Sequence, residues 1–272
     1  MTSYLEVAFL LPEGIDRDVL AYQLDQSGAS SLEERHEHLV AYFEEHKWKK
    51  VAGEFADYDL QVSTIVNQNW NAVWESSFQP VLISDFCYVR APFHDPLPNQ
   101  EIIDLILEPK MAFGTAHHET TYMMMAEMQD LTLSEQSVFD FGCGTAILSI
   151  LAEKLGASNV FAIDIEENAV ENAILNAQIN SCEQIEVEQK VLQEVPIKQF
   201  DVVLANINRA VLLDSAETLA KFVVPGGIVL LSGILLEDEE LVLSAYLNAG
   251  FKHLSTRSRG EWKCLRLSAP RT

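Results

Sequence analysis

Asp140-Phe141-Gly142-Cys143-Gly144-Thr145 sets two glycines around a cysteine, one residue after an acid-aromatic pair. The apolar run Val138–Phe141 ahead of it reads as a strand. The spacing of Ile147, Leu148, Ile150, Leu151 and Leu155 behind it reads as a helix, with a tight turn between. Glycines at such a turn let the backbone come within contact distance of a ligand, because no Cβ intervenes. The free N–H groups that open the next helix favour a carboxylate or a phosphate. A second strand, Asn159–Asp164, ends in an acid roughly twenty positions beyond Gly142. An acid there is placed to accept hydrogen bonds from the hydroxyls of an adenosine ribose.

The turn also discriminates between nucleoside ligands. A dinucleotide fingerprint carries a third glycine where this chain has Ile147. Asp-x-Gly-x-Gly resembles motif I of class I S-adenosylmethionine-dependent methyltransferases, whose cofactor has no phosphate and needs room for a methionine tail. Two further groupings bear on that chemistry. Gly114-Thr115-Ala116-His117-His118-Glu119-Thr120-Thr121 bunches small, hydroxyl and imidazole groups before a helix rich in methionine (Met123, Met124, Met125, Met128). The methionines read as core filler. Thr120 and Thr121 sit where the helix starts and can cap it or reach a ligand. Phe200–Ala205 reads as a buried strand with Asn206 at its carboxyl end. Ligands of open α/β sheets lie outside such strand ends, where both Asp164 and Asn206 fall.

Taken together, Ala-Phe-Gly-Thr-x-x-His-x-Thr-Thr, Asp-Phe-Gly-Cys-Gly-Thr, Ile-Asp-Ile and Ala-Asn-Ile resemble the ribosomal protein L11 methyltransferase family. The matches fall at Phe113, Gly114, Thr115, His118, Thr120 and Thr121, at Asp140, Gly142 and Gly144, at Asp164 and at Asn206. Glu261-Trp262 is similar to the closing strand of that family, and the resemblance spans essentially the whole chain. It implies S-adenosylmethionine as cofactor, contacted by Thr121, Gly142, Gly144, Asp164 and Asn206. It also implies a basic ribosomal protein as partner, held by a small N-terminal domain that a helical linker joins to the catalytic domain. Asn206 and His118 are the candidate catalytic residues, and no metal is expected. Two positions depart from the family, Ala116 and Ala146, where glycine is usual. At Ala146 the backbone is expected to have entered the helix, where alanine gains about 0.5–1 kcal/mol. At Ala116 a positive φ would cost alanine about 1–2 kcal/mol.

Asn206-Ile207-Asn208-Arg209 lacks the prolines and aromatic ring of the Asn/Asp-Pro-Pro-Tyr segment that holds planar amide or adenine nitrogens. An aliphatic amine is the better match. Neutralising a lysine at pH 7 costs about 4.6 kcal/mol, and an α-amine only about 1 kcal/mol. His118 is a candidate acceptor for the proton.

The elements that must position these residues divide the chain in three. Residues 1–66 read as strand, helix, strand, helix and strand, with a further short strand near Ala29–Leu32, which suits a small ferredoxin-like α+β domain for substrate recognition. Residues 67–95 read as a linker helix, with Trp70 and Trp74 on one face, followed by two short strands. Residues 96–272 read as a Rossmann-like, seven-stranded methyltransferase domain, closed by an antiparallel pair around a turn at Arg257–Glu261.

Eighteen basic residues against 41 acidic give the 272-residue chain a formal charge of −23. That argues against direct nucleic-acid binding and for a basic partner. Lys252, Arg257, Arg259, Lys263, Arg266 and Arg271 near the C-terminus read as a solvated last hairpin. His36 and His38 flank Glu37 without an evident third ligand. Cys87, Cys143, Cys182 and Cys264 form no C-x-x-C pair, so reduced thiols in a cytoplasmic protein are expected. No basic-then-apolar leader and no membrane-spanning run is read. Two other functions fit the same residues: a methyltransferase for another basic protein, and a weakly active cofactor-binding adaptor.

Overall fold

The computed structural model describes residues 4–11, 17–35, 38–56, 58–65, 79–98, 101–108 and 114–270. The proposed linker helix with Trp70 and Trp74, His36, and Phe113 of the family match lie outside the described residues. The chain divides into two compact units, Met1–Phe78 and Gln79–Thr272.

The first unit runs β1 (Tyr4–Leu10), α1 (Arg17–Gln26), β2 (Ser31–Arg35), β3 (His38–Glu44), α2 (Glu45–Val51) and β4 (Leu60–Ile65). Its antiparallel sheet has the order β2-β3-β1-β4, which is the ferredoxin-like arrangement of a βαββαβ chain. Alternation builds it. Leu5, Val7 and Phe9 of β1 point to the face that buries Leu20 and Leu24 of α1 and Trp48 of α2.

The second unit holds a three-stranded sheet, β5 (Val81–Ile83), β6 (Cys87–Arg90) and β7 (Ile103–Ile106), and a seven-stranded sheet. The strands at 81–83 and 87–90 belong to this unit's core through Ile83, Cys87 and Val89. The large sheet comprises β8 (Ser137–Phe141), β9 (Asn159–Asp164), β10 (Ile185–Gln189), β11 (Phe200–Asn206), β12 (Val223–Leu235), β13 (Lys252–Arg259) and β14 (Trp262–Ser268). Their order is β10-β9-β8-β11-β12-β14-β13. β14 runs antiparallel to β12 and β13, and the other pairings are parallel. Strand order reverses between β8 and β11, so their carboxyl ends bound a crevice.

Period-two burial makes three layers. Val138, Val202 and Leu204 face α3 (Glu119–Met128) and α4 (Ile147–Lys154), with Met123, Met124, Met125 and Met128 fully buried among them. Phe139, Val203 and Ala205 face the opposite layer, with α6 (Arg209–Leu219) and α7 (Glu239–Asn248). There Phe139 stacks against Phe161, Phe200 and Phe222 at centroid distances of 5.8, 5.3 and 5.4 Å. Helix α6 packs through Leu212, Ala216 and Leu219, a helical spacing that the sequence reading had not drawn out. Helix α5 (Glu167–Ile179) completes the layers.

β12 pairs with β11 at Val223 and again from Ile228, with Pro225-Gly226-Gly227 in the irregular stretch between them. One sequence expectation changes in the last hairpin. β13 runs to Arg259, so the turn expected over Arg257–Glu261 is confined to Gly260-Glu261, and Arg257 and Arg259 sit on a paired strand. Arg257 Nε donates to Glu127 Oε1 at 2.7 Å, Arg259 lies 3.6 Å above the Tyr122 ring, and Lys263 Nζ pairs with Glu239 at 2.9 Å. Arg257 and Arg259 thereby grip α3, because strand alternation gives them one face and that face lies against the helix.

Candidate active site

The carboxyl ends of β8, β9 and β11 open on a cavity of about 970 Å³, lined among others by Gly142, Gly144, Asp164 and Asn206, with Thr121 of α3 and His118 at its N-cap. The six residues singled out from sequence therefore meet in one place. The turn after β8 alternates backbone hand. Gly142, Gly144 and Ala146 have φ of +77°, +54° and +61°. The Gly142 and Cys143 N–H groups donate to the Ile163 carbonyl at 2.9 and 3.0 Å, and Gly144 N–H donates to Asp164 Oδ2 at 2.9 Å. Asp164 Oδ1 accepts from Glu166 N–H at 3.1 Å. The carboxylate is thus pinned to the glycine turn while each oxygen keeps a second lone pair.

The Ala146 expectation is overturned. It caps α4 in the left-handed region, with ψ +21°, and has not entered the helix. The turn must reverse once more before the helix can start, and the residue there pays about 1–2 kcal/mol for a Cβ. Its methyl, fully buried with Ala162 and Ala173, offsets part of that cost. Ala116 has φ +66°, so the conditional cost attached to it applies, and it too is buried.

Thr121 and Asn206 are joined directly. Asn206 Nδ2 donates to Thr121 Oγ1 at 3.2 Å, and with that orientation Asn206 Oδ1 is buried and has no partner. An unpaired buried amide oxygen costs about 1–3 kcal/mol unless a ligand donor meets it. His118 has a different task. Its Nδ1 faces the Thr120 N–H at 3.3 Å and the Thr120 hydroxyl at 2.7 Å, which caps α3, while its ring lies edge-on to Trp262 at 4.9 Å. A ring nitrogen that accepts the cap hydrogen bond has its lone pair engaged there. Thr120 and Thr121 lie inside the helix, and neither caps it.

Two devices bring the threonine loop to the glycine turn. Thr145 Oγ1 donates to the Gly114 carbonyl at 2.6 Å. Along α5 and its C-cap, Asn180 exchanges two hydrogen bonds with Ile106, and Asn176 accepts from Glu108 N–H at 2.9 Å. Asn176 also donates to the Thr145 carbonyl at 3.0 Å, tying β7 to the turn. The i, i+4 spacing of these asparagines was legible in the sequence, but their strand partner was not.

Asp140 shares the parity of Val138 and points toward α4, where Ser149 Oγ donates to its Oδ2 at 2.6 Å. Its Oδ1 is buried without a partner. Burial pushes its carboxyl up to about 7, against the Ser149 hydrogen bond and with some help from the Asp164 charge. Burial raises the Cys143 thiol well above its ordinary value and Cys87 to about 12, which disfavours both thiolates. Sequence reasoning gave no site role to Ile207, Gly233 or the Arg209–Asp238 pair at 2.5 Å, all on the cavity wall. A glycine inside the apolar run of β12 was the available signal for Gly233.

The groups present suit an adenosine-bearing ligand with an amino-acid tail: a carboxylate with lone pairs to spare, a cradle of glycine backbone, and an amide oxygen awaiting a donor. A seven-stranded sheet with this crevice and these groups defines an S-adenosylmethionine-dependent methyltransferase. The model of the Ribosomal protein L11 methyltransferase (PrmA) family matches residues 13–270. A relative from Porphyromonas gingivalis, "Ribosomal protein L11 methyltransferase", is 44% identical over 204 residues, covering 74% of this chain and 69% of its own. One of the same description from Bacteroides fragilis is 35% identical over 260 residues, 92% of each chain. The crystal structure of a ribosomal protein L11 methylase from Lactobacillus delbrueckii subsp. bulgaricus superposes with a TM-score of 0.67 at 28% identity, over 71% of this chain and all of that one. The chain belongs to the ribosomal protein L11 methyltransferase family.

Proposed function

We propose that this protein methylates amino groups of ribosomal protein L11, using S-adenosylmethionine, at the cavity between β8, β9 and β11. When bound, S-adenosylmethionine supplies a methyl group on a cationic sulfur, open to in-line displacement by an uncharged amine. Asp164 holds the ribose hydroxyls through the lone pairs its backbone contacts leave free. Gly142 and Gly144 let the chain lie against the cofactor, and Thr121 fixes the amide of Asn206. The observation that carries the reading is Asn206 Oδ1, buried and unpartnered on the cavity wall while Nδ2 is held by Thr121. Such an oxygen accepts one N–H of an incoming amine and leaves the nitrogen lone pair directed at the reacting carbon, so catalysis is largely positioning. The proton lost from an ammonium goes to water at the open mouth of the site, since His118 is committed to its helix cap.

The net charge of −23 favours approach of a basic ribosomal protein over nucleic acid. Lysine side chains and the α-amine are both acceptable acceptors, the α-amine at the smaller deprotonation cost. Among the described residues no helix is long and apolar enough to cross a membrane. The four cysteines are all free thiols, which supports a cytoplasmic setting.

Intact mass of L11 after incubation with the protein and S-adenosylmethionine tests the assignment. Stepwise methyl additions are expected. They should fall by at least about a hundredfold in rate in Asn206→Ala, and Asp164→Ala should chiefly weaken cofactor binding. An unmodified L11 alongside demonstrated cofactor binding would instead support the adaptor reading.

A further inference from the structure

We propose that Ile207 is a positioning residue for methyl transfer, a wedge whose side chain bears on Gly142 and whose backbone bears on Gly233, so that Asn206 is held at a set distance from the glycine turn. This rests on the reading of Asn206 as the group that receives the amine. Asn206 ends β11, and the chain must turn at once into Asn208, which caps α6 by accepting from Val211 N–H at 3.1 Å. Ile207 is the single residue between them, and it is met by Gly142, just past the end of β8, and by Gly233 within β12. A Cβ added at Gly142 would stand 2.3 Å from Ile207 Cγ2 and 3.8 Å from its Cβ. One added at Gly233 would stand 2.1 Å from the Ile207 carbonyl oxygen, 2.9 Å from its carbon and 3.3 Å from its nitrogen. Both glycines have positive φ, +77° and +85°. Gly233 also falls at the register shift between Ser232 and Ile234, where β12 departs from β14. That bulge brings bare backbone against the Ile207 peptide.

The two contacts differ in kind, and the difference is testable. Trimming Ile207 to alanine removes the atom that Gly142 meets and leaves a Cβ–Cβ distance of ordinary contact. It removes nothing that Gly233 meets, because those atoms are backbone.

The variants Ile207→Ala, Ile207→Val, Gly142→Ala, Gly233→Ala and the doubles Gly142→Ala/Ile207→Ala and Gly233→Ala/Ile207→Ala should be compared by three readouts. These are kcat and KM on L11, the Kd for S-adenosylhomocysteine by calorimetry, and melting temperature. Ile207→Ala is expected to lower kcat about tenfold while the Kd changes less than about threefold. Ile207→Val, which keeps Cγ2, should return kcat to within about twofold of wild type. Ile207→Ala should raise the melting temperature of Gly142→Ala and leave that of Gly233→Ala no higher. The proposal is overturned if Ile207→Ala keeps kcat within about twofold, if valine is as impaired as alanine, or if the trim lifts both glycine variants equally. A wild-type protein inactive on L11 sinks the functional reading separately, and the melting comparison still judges the wedge.

Discussion

Asp140 offers a sharp test of how the sheet interior treats the acid of the glycine turn. Its folded-state pKa near 7, against 3.8 for the free side chain, means that the folded protein holds a proton the unfolded chain has already lost. Below about pH 3.8 both states are protonated and the group is neutral toward folding. From there to about pH 7 the unfolded chain gains, at up to about 1.4 kcal/mol per pH unit, so stability falls. Above pH 7 both states are ionised and the deficit is constant, about 4 kcal/mol in all. Asp140→Asn does not titrate. Its amide oxygen still accepts from Ser149, and its buried NH2 carries a penalty that does not vary with pH.

The variant should therefore gain on wild type by about 3 kcal/mol between about pH 4.5 and 8.5, nearly all of it below about pH 7.5, and run parallel to it at higher pH. Urea unfolding of both proteins at steps between about pH 4.5 and 8.5, followed by circular dichroism, reads the difference, and other titrating carboxylates cancel in it. Two curves that stay parallel within about 0.5 kcal/mol across the range would refute the argument, because no differential protonation of Asp140 would then exist. Ser149→Ala should move the wild-type inflection to higher pH, since the lost hydrogen bond favoured the ionised form.

Other outcomes follow from the same geometry. Ala146→Gly and Ala116→Gly relieve a left-handed alanine but give up a buried methyl and stiffen nothing in the unfolded chain. Each should leave stability within about 0.5 kcal/mol of wild type by chemical denaturation, where a helical position would lose about 1 kcal/mol. Arg257→Met strands the nearly buried Glu127 carboxylate. With Arg257 itself 40% exposed, the cost should be about 1–2 kcal/mol in urea unfolding, and adding Glu127→Gln should recover most of it.

Much of the fold was legible because its signals are local. Alternation along β1, β8 and β11, helical spacing in α4 and the glycine turn each specify conformation within a few residues, and the acid that ends β9 follows from the length of one βαβ unit. Strand order was a different matter. It depends on which apolar face finds which partner, and was available only through family resemblance. The helix α6 was missed because its apolar positions Leu212, Ala216 and Leu219 are interleaved with Val211 and Leu213, which blurs the period.

The sequence by itself determined the chemistry on offer: a ribose acid, a glycine cradle, an amide at a strand end, and a charge suited to a basic partner. The tertiary structure decided what each group is free to do. His118 reads as a candidate base, and the fold puts its Nδ1 on the cap of α3; Asn206 reads as a strand-end amide, and Thr121, 85 positions away, holds its nitrogen and leaves its oxygen open. Arg257 reads as part of a solvated hairpin, and the fold pairs it with Glu127, 130 positions earlier. Hydrogen-bond acceptors and buried faces are assigned by neighbours in space, and residue types along a chain specify those neighbours only once the whole sheet has closed.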